Sequence, residues 1–110
     1  HILRHAGGRV PDDMIRSLVI SQQQMGTREI VVLHHTDCGA QTFTNEDFAR
    51  HIHKELGIDV TGQDFLPFTD VADSVREDME LLRKSPLIPE DVVINGAVYN
   101  VDTGVMTEVK

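Results

Sequence analysis

Ile30-Val31-Val32-Leu33 is an unbroken aliphatic run without polar alternation. A short strand of this kind reads as buried on both faces, as parallel strands in layered α/β proteins are. The segments around it fit that reading. Residues 1 to 4 read as the end of a strand running into Ala6-Gly7-Gly8, where two glycines permit a tight turn. Pro11 then suits a first helical position, and Asp12 and Asp13 suit the positive end of the helix dipole. Met14, Ile15, Leu18, Val19 and Gln22 share one face before Gly26. Beyond the run, Thr44 with Asp47 approximates a capping box for a helix carrying Phe48, Ile52 and Leu56 up to Gly57. Thr69 reads as the cap of another helix, with Val71, Val75, Met79 and Leu82 in one stripe and Pro86 and Pro89 beyond its end. Val92-Val93-Ile94 opens a strand that runs to Val101, and Asp102-Thr103-Gly104 turns it into Val105 to Val109. The order strand, helix, strand, helix, helix, strand, strand predicts an α/β domain. Its sheet is expected to be mostly parallel, with Ile30 to Leu33 central, helices on both faces and a C-terminal antiparallel edge hairpin.

Composition narrows the function classes. A chain of 110 residues with 40% hydrophobic and 25% charged residues fits a single globular domain over 1–110. The net charge of -8, with Lys and Arg scattered, disfavours binding to nucleic acid or an anionic membrane surface. No run approaches the roughly 18 apolar residues of a membrane span. One cysteine, Cys38, cannot form an internal disulfide, so nothing marks an oxidising compartment and the cytoplasm is the expected location. The chain opens on His1 and directly on apolar Ile2-Leu3, which reads as an N-terminally incomplete domain.

The lone thiol draws attention to the loop after the aliphatic run, because ligands of parallel sheets bind beyond the carboxyl ends of strands. His35 and Cys38 are three residues apart there, so an imidazole nitrogen and a thiolate can occupy two corners of a tetrahedron, and zinc suits that pair. Gly39 removes a side chain that would crowd the thiolate, and Asp37 either caps the loop or faces the pocket. His34 and His35 point to opposite sides of a strand, so only one can face a metal; the spacing selects His35. Two other readings stand beside zinc. Cys38 can be a small buried hydrophobe with His35 satisfied by a backbone carbonyl, or a nucleophile with a histidine base, though no third orienting group is evident. His5, beside the Gly-Gly turn, is a further pocket candidate. His51 and His53 lie on different faces of a helix, and His1 has no motif. Arg76-Glu77-Asp78 with Glu80 reads as a solvated face, and Met25 and Met79 read as core.

Three stretches go beyond generic spacing: Arg4-His5-Ala6-Gly7-Gly8, then Gly26 to Gly39 with His34-His35-Thr36-Asp37-Cys38, then Val98-Tyr99-Asn100-Val101-Asp102-Thr103-Gly104. In this order, and over nearly the whole chain, they resemble the β-class carbonic anhydrases. The resemblance implies an α/β domain that forms a homodimer or higher homo-oligomer. It also implies a zinc ion held by Cys, His and Cys, and reversible hydration of carbon dioxide to bicarbonate by zinc-bound hydroxide. His35 and Cys38 match the second and third ligands. The family's first ligand lies in an earlier Cys-x-Asp-x-Arg motif, whose Asp and Arg form a dyad beside the metal; these 110 residues hold no counterpart, so the catalytic residues are unassigned. The strand carrying that motif would stand between those beginning near Ile2 and Ile30, so the fold is expected to depend on a partner subunit. The usual Asn before Ala-Gly-Gly is His5 here, and the usual Gly before the zinc histidine is His34. Hydrolysis of carbonyl sulfide or carbon disulfide, which relatives in the family perform, and a catalytically inactive assembly module are the alternative functions.

Overall fold

The computed structural model describes residues 1–110. After an extended opening segment and a single turn at Ala6–Gly8, helix α1 spans Asp12–Met25 and leads into strand β1, Glu29–His35. A second short turn at Gly39–Gln41 precedes helix α2 (Asn45–Leu56), helix α3 (Val71–Lys84) and the strands β2 (Val93–Tyr99) and β3 (Met106–Val109). The sheet order is β1-β2-β3, with β1 and β2 parallel and β2 and β3 antiparallel. The mixed α/β architecture and the terminal antiparallel hairpin therefore match the alternation of the sequence. Within this chain, however, β2 is the central strand and β1 an edge, contrary to the central place expected for Ile30 to Leu33.

Local chemistry explains most boundaries. Pro11 stands just before α1, and Gly26 ends the helix in the left-handed conformation (φ 73°), its N–H donating to Gln22 O. Thr44 Oγ1 accepts from Asp47 N–H to start α2, as the capping pattern predicts. For α3 the cap is Asp70, which accepts from Asp73 N–H, and not Thr69. Asn100, just after β2, builds the hairpin turn: its side-chain oxygen accepts from Asp102 N–H and Thr103 N–H, and its carbonyl from Gly104 N–H. Residues 1 to 4 form no strand, because no neighbouring strand pairs with them, and Ile2 is 83% exposed.

The core lies on one side of the sheet. Ile30 and Val32 of β1 pack with Val10 and Met14 at the start of α1, with Val75, Met79 and Leu82 of α3, and with Val92 and Val109. Gly96 in β2 lets α3 approach closely: a Cβ there would lie 2.3 Å from Met79 Sδ and 2.5 Å from Val75 Cγ1. The opposite face is bare, with Val31, Leu33 and Val93 all exposed, so burial on both faces and helices on both sides do not hold within this chain. The cause is geometric: α1 and α3 send their apolar stripes into the same core cluster, and α2 buries no residue. Met79 is core, whereas Met25, at the end of α1, is 62% exposed.

Candidate metal centre

Strand β1 alternates strictly between buried and exposed residues, and this alternation separates the two adjacent histidines. His34 turns inward and is 1% exposed. His35, the last residue of the strand, is exposed. Its Nδ1 lies 2.6 Å from the carbonyl oxygen of Thr36, which can only accept, so Nδ1 carries the proton and Nε2 keeps its lone pair for a ligand. A backbone carbonyl fixing the tautomer is the usual arrangement for a metal-ligating histidine.

The loop that follows is held on one side by β2: Thr36 N–H donates to Tyr99 O (2.9 Å), and Thr36 Oγ1 accepts from Val101 N–H (3.0 Å). Asp37 then adopts a positive φ of 53°, which turns the chain sharply before Cys38. Cys38 is 5% exposed, and its carbonyl accepts from Gln41 N–H at 3.0 Å as the short turn begins. Asp37, Cys38, Gln41, Thr42 and Thr69 line an open cleft here. Gln41 Nε2 donates to Thr69 O at 2.7 Å, closing one wall.

Gly39 opens the short turn after Cys38, and beyond its two chain neighbours a Cβ at that position would meet nothing within 4 Å. His5 is half-buried just before the Ala6–Gly8 turn and is absent from the cleft lining. His51 and His53 are exposed on α2, and His1 contacts Ser21 Oγ at 2.7 Å. No three or more His, Cys, Asp or Glu side chains gather as a metal-binding group. Of the two expected donors only Cys38 lines the cleft; the loop offers one exposed imidazole and one buried thiol, both of them donor types that zinc takes, and any further ligand would come from groups beyond these side chains.

Asp78 corrects the reading of the acidic segment on α3. It is 2% exposed and lies inside the protein, where Arg9 Nε donates to Oδ2 at 2.9 Å and Arg9 Nη2 to Oδ1 at 3.3 Å. Arg76, Glu77 and Glu80 do lie on the surface as expected, and the Glu77 side chain, 66% exposed, meets Arg9 Nη2 at 3.1 Å. One signal was available. Asp78 stands four residues after Ser74 and four before Leu82, on the buried stripe.

No protein-family profile matches the chain. It is similar to β-carbonic anhydrase 1 of Mycobacterium tuberculosis, at 44% identity over 109 residues, 99% of this chain and 66% of the relative. Likewise, it is 39% identical over 126 residues to the carbon disulfide hydrolase of an Acidianus species, covering 94% of this chain and 62% of that protein. The crystal structure of carbonic anhydrase from Streptococcus mutans superimposes with a TM-score of 0.98 at 67% identity, over 100% of this chain and 66% of that one. The chain therefore spans slightly less than two thirds of these relatives. With identity of this order across nearly all its residues and the fold in common, the chain belongs to the β-carbonic anhydrase family.

Proposed function

We propose that this chain is part of a zinc-dependent carbonate dehydratase that interconverts carbon dioxide and bicarbonate. The observation that carries the reading is the prepared donor pair at the end of β1: His35 with its Nδ1 proton given to Thr36 O, and buried Cys38 three residues on. Family membership supplies the reaction class. His35, through Nε2, and Cys38, as thiolate, would hold the metal, and the remaining protein ligand and the Asp/Arg dyad would come from a Cys-x-Asp-x-Arg segment outside these 110 residues. When bound, zinc supplies the Lewis acidity that makes water a nucleophile near neutral pH.

The residues of this chain orient and shield. Thr36, tied to Tyr99 and Val101, fixes the height of the loop against β2, and the Thr36 carbonyl keeps the His35 ring from rotating. Burial of Cys38 keeps competing solvent from the sulfur. The cleft side chains of Asp37, Gln41, Thr42 and Thr69 form the rim through which a small linear substrate would pass. A single buried thiol suits the reducing cytoplasm, and the bare apolar face of the sheet suits association into a homodimer or larger homo-oligomer.

In the full-length protein, Cys38→Ser and His35→Ala are each expected to remove zinc, measured by elemental analysis after dialysis, and to abolish carbon dioxide hydration in stopped-flow assays. Retention of stoichiometric zinc by both variants would overturn the assignment. The likeness to a carbon disulfide hydrolase favours a second reading, in which the same centre hydrolyses carbon disulfide or carbonyl sulfide. Hydrogen sulfide release from these gases, without carbon dioxide hydration, would select it. Zinc-free protein inactive on all three gases would favour an assembly module.

A further inference from the structure

A set of polar groups buried beside the metal loop has no part in the proposed chemistry. Arg9, His34, Ser74 and Asp78 are 6%, 1%, 0% and 2% exposed. Burying so many polar groups is costly unless each finds partners, and here each does. Arg9 grips the Asp78 carboxylate through two nitrogens, and its third contact reaches Leu66 O at 3.4 Å. His34 Nδ1 meets Ser74 Oγ at 2.8 Å; that hydroxyl gives its one proton to Val71 O at 2.6 Å, so it accepts from the ring. His34 Nε2 meets Gly8 O at 3.0 Å, an atom that can only accept, with Asp78 Oδ2 at 3.3 Å. Both ring nitrogens are thus placed as donors, and Asp78 is the acidic partner facing both the ring and Arg9.

The set is connected to the loop through Phe68. The Phe68 ring stacks on His34 (centroids 5.8 Å apart, planes at 25°) and lies under the Arg9 guanidinium, 5.8 Å from its centroid. Its backbone N–H donates to Ala40 O at 3.1 Å, two residues beyond Cys38. The glycine turn closes the same contact, because a Cβ on Gly7 would stand 3.0 Å from Ala40 Cβ and 3.3 Å from the Phe68 ring. The loop is therefore held from both sides, by β2 through Thr36 and by α3 through Arg9, His34 and Phe68.

We infer that Asp78 is a positioning residue for the metal centre: by fixing Arg9 and His34 against Phe68 it sets the placement of the Cys38 loop relative to His35 before metal binds. The inference rests on the zinc reading above. Its test uses the full-length protein, with zinc affinity measured by chelator competition and ligand geometry by the visible spectrum of the cobalt(II)-substituted form. Asp78→Asn keeps the side-chain size but weakens the grip on Arg9 and His34, and is expected to lower zinc affinity about tenfold or more and to alter the cobalt bands. Phe68→Leu leaves the buried ionic groups and the Phe68 N–H bond to Ala40 O in place and removes only the ring through which His34 and Arg9 bear on that segment, so it should shift both readouts in the same direction even if Asp78→Asn does not fold. Glu77→Gln, which touches only the exposed arm of the set, should leave both unchanged. If folded Asp78→Asn or Phe68→Leu is less stable but keeps wild-type zinc affinity and the wild-type cobalt spectrum, the set is merely structural and the inference is wrong. Failure of the wild-type protein to bind zinc would instead overturn the zinc reading on which it stands.

Discussion

The two histidines at the end of β1 have the same side chain and opposite fates, decided by the two-residue period of a strand. His34 is committed inward to Ser74, Gly8 and Asp78, so it is not free to serve a metal at the loop, and His35 remains with an unoccupied Nε2. The inward commitment has a steric condition. Gly8 sits at φ +69°, and a Cβ there would come within 2.6 Å of His34 Cδ2 and 2.8 Å of Leu33 O. Gly8→Ala is therefore expected to cost about 1–3 kcal/mol from overpacking, with roughly 1–2 kcal/mol more for a left-handed residue that now bears a Cβ. A urea denaturation midpoint that does not move would refute this. Asp78→Ala should be at least as damaging, on the order of 3–5 kcal/mol, because it removes the one buried carboxylate facing Arg9 and leaves that charge only the exposed Glu77. The same denaturation series reads it, and an effect under about 1 kcal/mol would place Asp78 among ordinary surface ion pairs.

At the scale of elements, what the sequence disclosed and what it concealed follow from range. Caps and stops act within four residues, so Gly26, Thr44, Gly57 and the turn before β3 were legible from residue types alone. The pairing partners of β1 and the burial of Asp78 depend on residues tens of positions away: Arg9 lies 69 residues from Asp78, and no local pattern couples them. The aliphatic run concealed its exposed face for a related reason, since Val31 and Leu33 are apolar whether or not this chain covers them. The site divides in the same way. The candidate metal loop was legible because its two proposed donors are three residues apart, whereas the Arg9, His34 and Phe68 support was not. A local device also carries a pH dependence. Asn45 Nδ2 donates to Asp64, Leu66 N–H donates to the same carboxylate, and these bonds hold the Asp64 pKa below its ordinary 3.8. A depressed carboxyl pKa stabilises the fold above the unfolded value and loses that contribution as pH falls through the lower folded value. The connection between α2 and α3 should therefore loosen below about pH 4. Acid titration followed by the amide resonances of Phe65 and Leu66 should show this transition, and Asp64→Asn should abolish it; an unchanged transition in that variant would assign the acid step elsewhere.

For the molecule as a whole, the shape is that of a sheet covered on one side. The radius of gyration is 15.5 Å, whereas a compact free-standing domain of this length has about 13 Å, and α2 has no buried residue. The bare face presents Val31 at 59%, Leu33 at 45% and Val93 at 47% exposure, beside the unpaired edge of β1. An open edge offers unsatisfied backbone donors and acceptors, and an apolar patch beside it favours association over solvation. Residues 1–110 expressed alone should therefore self-associate through this face. Val31→Lys with Leu33→Lys should shift the population toward monomer, because each ammonium would have to be desolvated in the contact while neither position packs in the core cluster. Light scattering coupled to size exclusion separates the outcomes. A wild-type polypeptide that is monomeric and cooperatively folded would show that the covered side alone sustains the fold, and the uncovered face would then need no partner.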